Sequence, residues 1–266
     1  MGTIIEIARH NEGMCGRFVL FSTQPEPGSA ADAADAADAA YVPGTPDAAV
    51  PGASHVAAVL GTIPLLEAVG QWEGVHTVVA PAGLPPARYN IAPTTTIAIV
   101  RLNAGQATVE PARWGLIPHW KKDLDGPPLF NARAETVATK PSFRQAYARN
   151  RCIIPLDGYY EWHDDGSGKK PHYVTDSTGG LLWAAGLWST GQDILSATMV
   201  TTAATPAMEW LHGRLPKFLR PEELRPWLAG EDLLDPSGVD TLQARLADTA
   251  VGNVRNDFPE LIAPQP

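Results

Sequence analysis

RCIIPLDGYYEWH, residues 151–163, decides the fold. RCIIPL is an apolar, β-branched run that reads as a buried strand. Cys152 within it reads as a small core hydrophobe. YYEWH follows, and it sets Glu161 just beyond the apolar strand, partly desolvated. Burial of that kind would raise a carboxyl pKa toward a range useful for proton transfer. A salt bridge to an arginine is the other reading of Glu161.

The same β-rich texture extends outward in both directions. TTIAIVRL (95–102), ATVEPARWGL (107–116), PHYVTDS (171–177), LLWAAGLWS (181–189) and ILSATMVTT (194–202) read as further strands, with a short one at 15–21. PSFRQAYARN (141–150) reads as a helix with Phe143, Ala146 and Tyr147 on one face. PAMEWLHG (206–213) and PEELRPWLAG (221–230) read as two more short helices, each opened by proline. Residues 55–70 are apolar enough for a helix, limited by Pro64. The sum is an α+β single domain with a mixed or antiparallel β core and peripheral short helices.

Composition bounds the function. The 266 residues fit one large domain, and 44% hydrophobic with 18% charged residues suits a globular protein. No apolar run approaches the ~20 residues of a membrane span. The N-terminus lacks the basic start and apolar core of a secretory signal, and Glu6 stands where myristoylation would need Ser or Thr. A cytoplasmic location is expected. Two cysteines without a CxxC pair suggest neither a disulfide framework nor zinc. Neither GxxxxGK[ST] nor HExxH occurs, so no cofactor and no metal are expected.

The net charge of −9 is unevenly spread. Residues 22–83 hold seven acids and no Lys or Arg, and residues 222–266 hold nine acids and three bases. Residues 84–221 hold fifteen bases against eleven acids. A modest basic groove in the middle of the chain is compatible with that, but charge alone does not identify a nucleic-acid binder. Residues 24–54, with their repeated Ala-Ala-Asp triplet, carry almost no bulky apolar side chains and read as a disordered insertion or a frayed helix.

Several strings in order resemble the SRAP (SOS-response-associated peptidase) family. They are MCGRF (14–18), RYNIAPT (88–94), WGLIPHW (114–120), FNARAET (130–136), CIIPLDGYYEWH (152–163), AAGLW (184–188), TT (201–202), HGRLP (212–216) and NDFPELIAP (256–264). The resemblance implies an SRAP-like domain over residues 14–266, interrupted by the insertion. It implies a monomer that senses abasic sites in single-stranded DNA, with DNA-crosslinking and autopeptidase activity and a place in the SOS response. Removal of Met14 would leave Cys15 as N-terminal residue, and Cys15 would join the lesion as a thiazolidine.

An N-terminal cysteine suits that chemistry because it sets an amine of pKa about 7.7–8.0 beside a thiol. The amine forms a Schiff base with an aldehyde, and the sulfur then closes a five-membered ring. A core cysteine at a strand start is the plain alternative for Cys15. The resemblance assigns acid–base work to Glu161 and His212, the latter also assisting sugar ring opening. It makes Asn131 a holder of Cys15 or the sugar, and Asn90 and Thr202 further pocket residues. Arg17 and Arg133 are the candidate phosphate contacts. Trp114 and Pro93 are candidates to stack or wedge against neighbouring bases; core packing is the plain reading of Trp114. His119 and His163 have no matching role.

Two departures stand out. Leu215 replaces the family's usual Met, a swap of similar volume. Cys15 is preceded by fourteen residues, so its nitrogen is an amide in this chain. Translation starting at Met14, with residues 1–13 a misassigned extension, is the simplest account; self-cleavage after Met14 is the other. Two further function classes stay open. One is a cysteine hydrolase acting on peptides through Cys15, His212 and Glu161. The other is a non-catalytic single-stranded DNA-binding module, should the extension persist.

Overall fold

The computed structural model describes residues 16–25, 63–236 and 239–265. The expectations for residues 1–13, Met14, Cys15, residues 26–54 and the first half of the 55–70 helix fall outside them.

Two sheets build the described fold. The five-stranded sheet runs in the order β13-β9-β8-β1-β3. Its members are β1 (Arg17–Leu20), β3 (Arg88–Ile91), β8 (Gly158–Asp164), β9 (Lys169–Asp176) and β13 (Leu242–Leu246). The larger sheet runs in the order β12-β11-β10-β7-β4-β5-β2, with β6 beside β11. It consists of β2 (Thr77–Val79), β4 (Thr96–Asn103), β5 (Gln106–Trp114), β6 (Asn131–Arg133), β7 (Arg151–Leu156), β10 (Leu182–Ser189), β11 (Ser196–Ala203) and β12 (Arg214–Pro216). Strand β11 also pairs with β5, in parallel, which closes β5, β4, β7, β10 and β11 into a ring. Closure of this kind removes exposed edges.

The five-stranded sheet is covered on both faces. Phe18, Tyr159 and Val174 enter the main core with the residues of the ring. Val19, Tyr160 and Tyr173 turn the other way, into a smaller core with Ala247, Val251 and Leu261. That is why GYY reads as continuously apolar: successive side chains alternate between two buried faces. Gly158 is required by the same crowding, since a Cβ there would come within 2.6 Å of the Tyr173 ring. Asp157, in the turn from β7 to β8, accepts from the backbone N–H of Phe21 (2.6 Å) and Ser22 (3.0 Å). It thereby fixes the far end of β1.

Short helices surround the sheets. Pro64–Gly70 begins at the proline that limits it, and Arg144–Arg149 buries Ala146 beside the buried Phe143. Pro221–Ala229 begins at its proline and stops at Gly230, whose φ of 98° is left-handed. Trp227 of this helix donates from Nε1 to the Cys152 carbonyl at 2.9 Å. Cys152 is fully buried and burial pushes its thiol far above the ordinary range, so it is the core residue expected.

The expected helix over PAMEWLHG is corrected. Residues 206–211 form successive turns: Met208 and Glu209 N–H groups both donate to Thr205 O, and Leu211 and His212 N–H groups to Met208 O. Here Met208 and Leu211 are instead held in the core while Trp210 turns outward.

Candidate functional site

Strand register builds the site. On β1 and β8, Phe18 faces Tyr159 and Arg17 faces Tyr160, so the next rung sets Gly16 beside Glu161. On β8 and β9, Glu161 faces His172 and His163 faces Lys170. Directly opposed residues share a face, so Gly16, Glu161 and His172 form one row, with His163 two residues further along. Glu161 is 6% exposed, and its Oε1 accepts from the Trp162 N–H at 3.1 Å.

The larger sheet reaches the same point. A Cβ on Gly16 would lie 3.9 Å from the Phe130 ring. Phe130 directly precedes Asn131, which opens β6 and lies half-buried. The start of β1 is therefore flanked by Glu161 from one sheet and by the Phe130–Asn131 pair from the other. Arg133 shares Asn131's face of β6 and is exposed. Beneath them, Trp114 packs edge-on against Phe18 (4.9 Å between centroids) and Phe130 (5.6 Å) and donates from Nε1 to Phe130 O. Trp114 is fully buried, so it is a support under the site and not a stacking surface.

The turn between β11 and β12 supplies the remaining groups. Trp210 lies 5.3 Å from each of the His163 and His172 rings. His212 follows, half-buried, with Nδ1 3.1 Å from both the N–H and the carbonyl oxygen of Arg214. With its proton on Nε2, His212 accepts from that N–H; with a proton on Nδ1, it donates to the carbonyl. Arg214 grips Glu135 with two bonds (2.8 and 3.0 Å) and donates to Thr201 O (2.9 Å). The Arg214 bond holds the Glu135 carboxyl below the usual range. Thr202 is buried, and its hydroxyl has no partner among the described residues.

Arg17 and Asn90 lie on the opposite face from Glu161. Arg17 Nη1 donates to Asn90 Oδ1 (3.1 Å) and Val251 O (2.8 Å). Asn90 is fully buried, and its amide donates to the carbonyls of Val251, Asn253 and Asn256. Asp257 accepts from Arg88 Nε (2.6 Å) and from the Tyr89 and Asn90 N–H groups. RYN and NDF thus fasten the C-terminal segment to the sheet. Pro93 lies half-buried just past β3.

His172, Trp210, Arg214 and Glu135 belong to the site region without having been singled out in the sequence. His172 is 9% exposed and donates from Nδ1 to the Lys170 carbonyl (3.2 Å). Desolvation lowers its pKa, with a smaller contribution from nearby His163. Among the described residues no three His, Cys, Asp or Glu side chains converge as a metal site, and no helix is long and apolar enough to cross a membrane.

A family model described as SOS response associated peptidase (SRAP) matches residues 14–254. Abasic site processing protein YoqW of Bacillus subtilis is 36% identical over 189 residues, 65% of this chain and 84% of that protein. Abasic site processing protein YedK of Escherichia coli is 32% identical over 193 residues, 68% of this chain and 86% of that protein. A solved protein from Bacteroides thetaiotaomicron, 24% identical, shares the fold with a TM-score of 0.58 over 66% of this chain and 85% of that one.

Proposed function

Given that the chain belongs to the SRAP family, we propose that it processes abasic sites in single-stranded DNA by joining itself to them through Cys15. Its relatives named abasic site processing proteins support the lesion as target. The observation that carries the reading is the register that sets Gly16, the residue after Cys15, beside the buried Glu161.

The chemistry requires Met14 to be removed, so that Cys15 offers a free amine. That amine adds to the aldehyde of the ring-opened sugar, and loss of water leaves an imine. Glu161 is positioned to give a proton to the departing hydroxyl. The Cys15 thiolate bonds to the imine carbon while the C=N pair returns to nitrogen, which takes up the proton the thiol lost. The product is a thiazolidine. His212, its ring held at Nδ1 by the Arg214 backbone, is the candidate to move a proton as the sugar opens. Asn131 orients the reacting groups through its amide, Thr202 adds a hydroxyl nearby, and the exposed Arg133 contacts phosphate.

The test is a denaturing gel of protein beginning at Cys15, mixed with a single-stranded oligonucleotide carrying one abasic site. A heat-stable shifted band is expected, absent with Cys15→Ala and with an intact oligonucleotide. An equal band from Cys15→Ala, or none from the Cys15-starting protein, sinks the proposal.

A further inference from the structure

We propose that Trp210 is a stacking platform for a DNA base that flanks the lesion, a specificity element held in place by His163 and His172. The inference rests on the single-stranded DNA reading above and identifies how a neighbouring nucleotide would be bound.

Trp210 is 49% exposed, one of few large apolar side chains so open to solvent among the described residues. Its neighbours Met208 and Leu211 are buried and anchor the turn that presents it. The indole meets His163 at 69° and His172 at 82° between ring planes. Edge contacts of this kind hold a ring without covering it as a parallel partner would. The indole is thus fixed in orientation and still open. That is the arrangement a base needs, because stacking on a pre-ordered ring costs less conformational entropy than stacking on a mobile one.

Its position fits a neighbouring nucleotide and not the lesion itself. His172 stands one strand away from Glu161 and two strands away from β1 in the same row. With ~4.8 Å between strands, His172 lies roughly 10 Å from the start of β1, and Trp210 is a further ring contact of 5.3 Å from His172. The surrounding groups favour a neutral aromatic ligand face there. Burial holds His172 toward its neutral form, and Lys170, across from His163, is already paired with Asp165 at 2.8 Å, so no uncompensated charge of this pair faces the ring.

Reversible binding tests this with a fluorescent single-stranded oligonucleotide whose lesion is a tetrahydrofuran abasic analogue, which has no aldehyde to crosslink. Trp210→Ala should bind about 5- to 100-fold more weakly, the range of one lost base–aromatic stack, and Trp210→Phe should recover most of that. A second tetrahydrofuran residue, moved stepwise along the flanks, should weaken the unmodified protein at one position and leave Trp210→Ala indifferent there. Thermal melting of Trp210→Ala close to that of the unmodified protein excludes a folding defect. Equal affinity of the two proteins, or the same flanking profile for both, overturns the platform while leaving the DNA reading intact. No binding by the unmodified protein overturns both.

Discussion

Arg17 and Asn90, on neighbouring strands, meet each other at 3.1 Å and share one acceptor, the carbonyl of Val251. Two residues expected at a DNA surface thus join the N-terminal strand to the C-terminal segment, behind the face that carries Glu161. Asn90→Ala should lower stability by about 2–4 kcal/mol, the cost of leaving one or two buried polar groups unpaired. Denaturant unfolding measures it. Loss below half a kcal/mol would show that the C-terminal segment does not depend on this amide.

The two arginines should separate. Arg133→Ala should weaken binding to single-stranded DNA with unchanged melting temperature and shrink the log–log salt slope by about 0.7. Arg17→Ala should lower the melting temperature, because its guanidinium holds Asn90 and Val251. Affinity titrations over a salt series, beside melting curves, check both. A full-size slope for Arg133→Ala removes it from the phosphate path.

Proton transfer should be separable from bond formation. Glu161→Gln should slow crosslinking yet reach the same final yield, since the amide keeps the shape and loses the proton. His212→Ala should slow it by roughly 10²-fold if it acts in acid–base catalysis. Gel time courses read the rate. Unchanged rates in both variants would leave Glu161 and His212 without a chemical role.

Acid should destabilise the fold partly through His172. Its folded pKa is lowered, so between that value and the ordinary one near 6.5 the unfolded chain binds more protons. The stability it contributes is therefore present above about pH 6.5 and is lost as pH falls through that range. Glu161, His163, Asp165 and Lys170 surround it and are shared by the comparison variant. Melting temperatures from pH 5 to 8 should fall less steeply toward acid for His172→Gln. Parallel curves would contradict this.

Cys152 should resist thiol reagents. In a Cys15→Ser protein, labelling should wait on global unfolding, because the remaining thiol is fully buried and burial holds it protonated. Rapid labelling under native conditions would show that the ring opens locally.

The strands were legible where burial on both faces leaves an unbroken apolar run, as in CIIPL and LWAAGLW. Roles decided by face were not. Arg17 is one residue from Gly16 in sequence, yet strand alternation sends the two to opposite sides of the sheet, and β1 is too short to declare its own period. His172 meets Glu161 only through a cross-strand register that no local pattern announces. Trp114 carried both readings in sequence, and only its burial decides for packing. The turn at 206–211 carries helix-like spacing of Met208 and Leu211, but the two serve as anchors for an outward tryptophan.

The seat of β1 has a consequence in time. It is paired on one side with β3 and on the other with β8. During synthesis the second of those partners emerges only after about 140 further residues have been added, on the order of ten seconds or more at ordinary translation rates. Throughout that interval β1 can pair on its β3 side alone, and its β8 side waits for Gly158–Asp164. The row that holds Gly16 beside Glu161 is therefore complete only late in elongation, and slowing translation between β3 and β8 should lengthen the time β1 spends without its β8 partner.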